Sequence, residues 1–372
     1  MPKVSVILTS FNHEKYIQEA IDSVIRQTFG DFELIIWDDA STDASWEIIK
    51  AYPDRRIKAF RNEANRRPIF GVLKAISEVA TGDYIAMHHS DDVWALDKLE
   101  KQVAVLDGSP DIGAVFTWVQ IIDQYGAKSP QDWFDQENKT RWQWLSQLFA
   151  GQNHLSHPSL LIRKQCYLDV GMYRYGFAQA GDAEMWTRVL QKYSIHVIQE
   201  KLTMHRHFSD KSNTSGDRIE ALIRTSNEWT VLRENYLSLS RFEDIVAIFP
   251  NLERFRNPKG FDSKFLLAMA CLHECKQRNA WQQGLRWLFE LLDDPHRREK
   301  IKDLYSFSYS DFITLTAKFD VYFVEADRQI AERDKIISDR DARISQIYAS
   351  RSWRLSRPIR FLERLARASL NR

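Results

Sequence analysis

The stretch Gly82-Asp83-Tyr84-Ile85-Ala86-Met87-His88-His89-Ser90-Asp91-Asp92 decides the fold. A turn at Gly82-Asp83 opens a short apolar run of strand length, and the run empties into a polar, acidic loop. Phe32 to Trp37 is a second run of this kind, ending in Asp38-Asp39-Ala40-Ser41-Thr42-Asp43, whose last residues are N-cap candidates for a following helix. Val4 to Leu8 and Ile57 to Phe60 add two more strand-like runs. Behind the first, Ile17, Ala20, Ile21, Val24 and Ile25 recur at helical spacing. Short strands alternating with helical patterns predict βαβ units and an α/β domain with a mainly parallel sheet and flanking helices. Both acidic loops then lie at strand carboxyl ends, where open α/β sheets bind their ligands.

The bulk numbers narrow the function. With 372 residues and 44% hydrophobic content, the chain has enough apolar material for a sizeable core and more than one domain. A formal net charge of +1 argues against nucleic acid as a partner. Three cysteines, Cys166, Cys271 and Cys275, do not read as a disulfide framework, so a reducing compartment is expected. The strand at Val4 follows Met1 too closely for a signal peptide. The longest apolar stretches, such as Ile112 to Ile122 and Phe265 to Leu272, fall short of the roughly 20 residues that cross a bilayer. These features predict a cytoplasmic protein.

Composition also divides the chain. Residues 1–215 carry the alternating pattern, residues 216–320 read as mostly helical and rich in Trp, Leu and Phe, and residues 321–350 are polar. In that polar part Ile330, Ile337 and Ile344 form a heptad stripe, but Arg333 and Arg340 occupy the second apolar position, leaving a solvated helix or a weak coiled coil. Residues 351–372 form a basic amphipathic tail with Trp353, Leu355, Ile359 and Phe361 interleaved among arginines. Such a tail suits an anionic membrane surface or an assembly partner.

Adjacent acids at a strand end offer hard oxygen ligands for Mg²⁺ or Mn²⁺, the ions that neutralise a departing diphosphate. Asp91-Asp92 meets that description, and also that of a helix cap before Val93-Trp94-x-x-x-Lys98. Asp38-Asp39 is open to the same two readings. Cys271-x-His273-x-Cys275 looks like a metal cluster, but its cysteines lie four apart on an apolar helical run, which reads as buried packing.

Three ordered motifs, Val4-Ser-Val-Ile-Leu-Thr9-Ser10-Phe11-Asn12, Asp38-Asp39-Ala-Ser-Thr-Asp43 and Gly82 to Trp94, resemble those of the family 2 glycosyltransferases with the GT-A fold. The resemblance spans about residues 3 to 210. It implies a Rossmann-like GT-A domain that transfers a sugar, with inversion, from a nucleotide-sugar donor to an acceptor hydroxyl. It also implies roles by position: Thr9, Ser10 and Phe11 beside the nucleobase, Asp39 accepting from the base imide, and Asp91 and Asp92 at the ribose and the Mg²⁺ or Mn²⁺ ion. A carboxylate facing the imide favours uracil or thymine, hence a UDP- or dTDP-sugar. The sequence departs from the family at His89, which stands where the metal motif commonly has an acid, and at Leu73-Lys74, where Arg-Asn is frequent.

Inversion needs a general base opposite the leaving diphosphate. Gly181-Asp182-Ala183-Glu184 resembles the family's Glu-Asp motif, which assigns Asp182 as the base with Glu184 as runner-up; a helix N-cap is the bland alternative for Asp182. His205-Arg206-His207 lies where the family often shows Tyr-Arg-x-His, which puts Arg206 at the diphosphate and His207 near the cation. His154-x-x-His157 falls near where acceptor-side loops are expected, and a lone histidine pair of this kind reads as structural or as an acceptor contact. The segment around Trp353 and Pro358 is similar to a C-terminal signature of glycosyltransferases in bacterial surface-polysaccharide assembly. That similarity implies a glycan or lipid-linked glycan acceptor, reached from the inner face of the cytoplasmic membrane. The competing expectation, motivated by His89, is a catalytically degenerate sugar-nucleotide-binding scaffold.

Overall fold

The computed structural model describes residues 1–210, 213, 216 and 218–349; the basic tail expected at 351–372 lies outside them. Fifteen elements build the first part: β1 (Val4–Ser10), α1 (Ile17–Ile25), β2 (Phe32–Asp38), α2 (Ser45–Lys50), β3 (Ile57–Arg61), α3 (Pro68–Lys74), β4 (Tyr84–His89), β5 (Val93–Trp94), α4 (Lys98–Gly108), β6 (Ile112–Ile122), α5 (Arg141–Phe149), β7 (Leu161–Arg163), α6 (Lys164–Val170), α7 (Gly181–Leu190) and β8 (Ser194–Arg206). Helices follow: α8 (Ile219–Arg233), α9 (Phe242–Ile248), α10 (Ser263–His273), α11 (Arg278–Asp293), α12 (Pro295–Tyr305), α13 (Tyr309–Lys318) and α14 (Val324–Ala349).

The strands form one sheet in the order β3-β2-β1-β4-β7-β6-β8-β5. β3, β2, β1 and β4 are mutually parallel, as the alternating pattern predicts. β7 runs antiparallel to β4 and β6, and β5 antiparallel to β8, so the sheet as a whole is mixed. β1 is buried along almost its whole length on both faces, which is why it reads as a continuous apolar run instead of an alternating one. α1 covers one face with Ile17, Ala20, Ile21 and Val24, all buried against Val4, Val6, Leu34 and Ile36. Each such aliphatic side chain contributes about 1.5–3 kcal/mol by leaving water.

Register sets the functional edge. Ser10 pairs with Asp38 and Thr9 with His89, so the ends of the three sequence motifs stand side by side in three adjacent strands. Two glycines allow the close approaches behind that edge. A Cβ on Gly82 would meet the Ser5 backbone nitrogen at 2.7 Å, and one on Gly71 would meet the Trp37 ring at 2.7 Å.

Residues 1–312 form one compact unit, and a second begins at Ile313. The change from strand-bearing to helical chain falls between β8 and α8, but α8 packs on α7 and α11 within the first unit. In the second unit, Ile330, Ile337 and Ile344 are exposed on α14. Among the described residues no helix is long and apolar enough to cross a membrane. Cys271 lies in α10 and Cys275 just beyond it, both buried and unpaired, with the Cys275 thiol turned to the Phe149 carbonyl.

Candidate active site

At the base end, Asp38 and Asp39 have different tasks. Asp38 is fully buried and closes its own turn, accepting from the Ser41 amide at 3.0 Å and the Ser41 hydroxyl at 2.5 Å. Asp39 Oδ1 accepts from Asn62 Nδ2 and from the Arg66 amide, each at 2.7 Å. Asp39 Oδ2 has no hydrogen-bond partner, nor does the neighbouring Ser10 hydroxyl, although both are buried. Buried polar atoms are almost always satisfied, so these two unpartnered atoms, on residues joined by a backbone hydrogen bond, are candidates for a ligand's contacts. Phe11, next along, leaves 40% of its surface exposed. Asn12 follows with a left-handed φ of 54° and its side chain bonded to the Thr42 amide at 2.8 Å, which ties the first motif to the second.

The acid loop is held from behind. Asp92 is fully buried and accepts from His205 Nδ1 at 3.0 Å and from the Arg206 amide at 2.8 Å. Burial opposes its charge, but His205 and His89 beside it keep its carboxyl below the usual range. Asp91 is driven the other way, first by burial and then by the Asp92 charge. Burial works against His205 as well, yet the same carboxylate raises its pKa to about 9. One ligand atom each from His89, Asp91 and Asp92 lies within 4.8 Å of the others. Two adjacent acids with opposed titration, beside an imidazole, fit a divalent cation that would relieve their repulsion.

Arg206 is only 2% exposed, and each of its three guanidinium nitrogens donates a hydrogen bond. Its Nε donates to the Asp91 carbonyl at 2.8 Å, Nη1 to the Asp123 carbonyl at 3.0 Å and Nη2 to Glu19 at 2.7 Å. These contacts tie Arg206 to the acid loop, to the Asp123 carbonyl and to Glu19. The downstream triplet also differs in register from expectation: His205 reaches Asp92, whereas the His207 ring sits 5.9 Å from that of Trp133. Lys74 is bonded to Glu78 at 2.5 Å.

Asp182 opens α7. Its Oδ2 accepts from Asn153 Nδ2 at 2.9 Å and Oδ1 from the Ala183 amide at 2.7 Å. Burial nevertheless lifts its pKa to about 6, within the range of a working base. Glu184 is committed elsewhere: fully buried, it takes two bonds of 2.8 Å from Arg188 and one of 3.0 Å from Asn235. The loop ahead of Asp182 is pinned by Glu228 of α8, which accepts from the amides of Ala178, Gln179 and Ala180 at 2.9, 2.8 and 2.7 Å. His157, half-buried in a short 3₁₀ turn, lies against His89 on one side and Tyr173 on the other. Asp182 in turn acts electrostatically on Tyr173. Asn62, Glu228 and Tyr173 escaped sequence reading, each a single polar residue with no motif around it, whereas His205 stood inside the His205-Arg206-His207 triplet without a role of its own.

A sheet whose parallel half ends at Ser10, Asp38 and the loop bearing Asp91 and Asp92 is the arrangement expected of a GT-A transferase. Residues 5–166 match the family described as Glycosyl transferase family 2. The chain is 31% identical over 210 residues to the uncharacterised glycosyltransferase MJ1057 of Methanocaldococcus jannaschii, covering 55% of this chain and 71% of that protein. It is 31% identical over 215 residues to the putative glycosyltransferase EpsE of Bacillus subtilis, covering 56% and 74%. A shorter match, 42% over 104 residues, covers 27% of this chain and 41% of the putative teichuronic acid biosynthesis glycosyltransferase TuaG of the same organism. In fold it is similar to the S. aureus TarS 1-349 structure in complex with UDP-GlcNAc, with a TM-score of 0.54 at 18% identity over 79% of this chain and 82% of that one. The chain belongs to the family 2 glycosyltransferases and is a transferase of GT-A fold.

Proposed function

We propose that the protein transfers a sugar, with inversion, from a UDP- or dTDP-sugar to a hydroxyl of a bacterial surface glycan or its lipid-linked precursor. The observation that carries the donor reading is the unpartnered Asp39 Oδ2, with the sister oxygen fixed by Asn62 and the Arg66 amide. A carboxylate so held presents an acceptor to the N3–H of uracil or thymine. Phe11 offers a face for the base, and Thr9 and Ser10 line the turn beside it. Asp91 and Asp92 would hold Mg²⁺ or Mn²⁺, which when bound would supply Lewis-acid neutralisation of the diphosphate. Arg206 fixes the Asp91 carbonyl through its 2.8 Å bond and acts on the diphosphate through that loop. Asp182 takes the proton of the acceptor hydroxyl as its oxygen bonds to the anomeric carbon, and the bond to the diphosphate breaks on the opposite face. The acceptor class is supported by the likeness to TuaG. The basic segment 351–372 supports attachment at a membrane surface, which truncation after Ser350 and vesicle binding would test.

The deciding experiment is the Mn²⁺-dependent thermal shift with UDP, dTDP, GDP, CDP and ADP. Stabilisation selective for UDP or dTDP, and lost in Asp39→Asn and Asp91→Ala, is the expected outcome; a ligand at a hundredfold excess over its Kd contributes about 2.7 kcal/mol. GDP is the sharpest control, since guanine N1–H is also a donor. Nucleotide binding without transfer over a broad donor and acceptor panel would make the chain a catalytically degenerate scaffold instead.

A further inference from the structure

His89 is the residue that departs from the family, and its surroundings are specific. Its Nδ1 lies 3.6 Å from Asp92 Oδ2, and its Nε2 lies 3.2 Å from His157 Nδ1. His157 Nε2 in turn lies 3.0 Å from the Tyr173 hydroxyl, which is 3.4 Å from that of Tyr167. The His157 ring is wedged between aromatic neighbours, with the Tyr173 and Trp186 rings 5.6 and 6.1 Å away. Two imidazoles whose nitrogens face each other at hydrogen-bond distance share a single proton between them. The chain therefore runs in one of two directions.

With protons directed inward, His89 Nδ1–H would face Asp92 at a separation too long for a hydrogen bond, beside a carboxylate that already accepts from His205 and the Arg206 amide. With protons directed outward, His89 Nε2–H donates to His157, His157 Nε2–H donates to Tyr173, and the bare Nδ1 lone pair joins the carboxylates of Asp91 and Asp92. A lone pair among carboxylates is repulsive until a cation stands between them. Cation binding thus selects the outward arrangement, and the His157–Tyr173 pair fixes both the tautomer and the tilt of the His89 ring, as outer partners of metal-bound histidines do.

We propose that His89 is a nitrogen ligand of the active-site cation, positioned by His157 and Tyr173, and that this pair biases the enzyme toward a transition-metal ion over Mg²⁺. Mg²⁺ demands an oxygen octahedron and gives up its water reluctantly, whereas imidazole suits first-row transition ions. The inference rests on the donor-site reading above.

The test uses the full chain with Mn²⁺ and each of UDP, dTDP and GDP. Mn²⁺ binding is followed by electron paramagnetic resonance, Mg²⁺ by competition, and directly bound nitrogen by the ¹⁴N coupling in the pulsed spectrum. A ¹⁴N coupling in the wild type, and Mn²⁺ binding at least about tenfold tighter than Mg²⁺, are expected. His89→Asp should abolish the coupling and bring the two ions to within a few-fold of each other. His157→Leu should weaken Mn²⁺ by about 10-fold or more. His157→Asn, whose side-chain oxygen stands in for Nδ1, should recover most of that loss and so separates positioning from folding. Nucleotide-dependent Mn²⁺ binding without ¹⁴N coupling, or with a metal preference indifferent to His89→Asp, overturns the inference alone. No Mn²⁺ binding with any of the three nucleotides overturns the donor-site reading as well.

Discussion

His205 Nδ1 sits 3.0 Å from Asp92 Oδ1 and 3.1 Å from Oδ2, joining the last residues of β8 to the loop after β4. Asp92 has no exposed surface, so its charge depends on this partner and on the Arg206 amide. Removing one member of a buried pair leaves the other uncompensated, at a cost of about 3–5 kcal/mol. His205→Leu is therefore expected to lower the chemical-denaturation midpoint strongly, while the double variant His205→Leu/Asp92→Leu recovers part of the loss. Equal stability of single and double variants would sink the idea that the pair is what matters.

If Asp182 is the general base proposed above, it is expected to set the acid limb of the rate. Its pKa is lifted to about 6 by burial, against bonds from Ala183 and Asn153 that pull it down. A general base works only when deprotonated, so kcat/KM should rise with pH through about 6 and then level off. Asn153→Ala removes one of the bonds favouring the charged form and should move that limb upward. Asp182→Asn should abolish turnover while leaving nucleotide affinity intact; retained turnover would remove Asp182 from the mechanism.

Glu33 of β2 is a stabilising group remote from the reacting centre. It accepts from the Ser5 hydroxyl at 2.7 Å, the Thr81 amide at 2.7 Å and Lys58 at 2.6 Å. Burial opposes its charge, but these donors hold its pKa at about 2 against an ordinary 4.5. A depressed carboxylate stabilises the fold above the unfolded pKa and loses that contribution as pH falls through the folded one. The window is therefore pH 4.5 down to about 2. Its full worth is of the order of 3 kcal/mol. Glu33→Gln should flatten the loss of stability across that window; an unchanged acid-denaturation profile would contradict the assignment.

What the sequence makes legible and what it hides follow one physical line. β1, β2 and β4 announce themselves because a strand buried on both faces must be apolar throughout and must end where its polar loop begins. The pairing of Ser10 with Asp38 and of Thr9 with His89 then follows from parallel register. Ile112–Ile122 is equally apolar, but an isolated run of that length fits a buried helix as well as a strand, and its partner β7 has only three residues. Arg206 is hidden for another reason. A motif fixes its position in the chain, but the choice between solvent and the carbonyls of Asp91 and Asp123 is made by strands and loops far apart in sequence. His205 lies near the end of β8 and His207 just past it, so a small uncertainty of register exchanges one for the other beside Asp92.

The helical region after β8 supports the loop ahead of Asp182 directly. Glu228 gathers three successive amides of residues 178–180, and Asn235 donates to Glu184 at 3.0 Å and to the Thr187 hydroxyl at 2.9 Å. Tyr236 adds a buried bond of 2.7 Å to the Leu145 carbonyl. Hydrogen bonds to a charged acceptor contribute about 1.5–3 kcal/mol each, and Glu228→Ala would leave three amides without theirs. Water can reach part of that loop, so the expected loss is about 2–3 kcal/mol of stability together with a fall in kcat, because Asp182 stands two residues beyond the pinned segment. Glu228→Gln, which keeps one acceptor oxygen, should fall between. A chain ending at residue 215 would lack Glu228, Asn235 and Tyr236 altogether and is expected to aggregate. Recovery of a monomeric, nucleotide-binding fragment 1–215 would show that the helices stabilise the transferase without being needed to build its site.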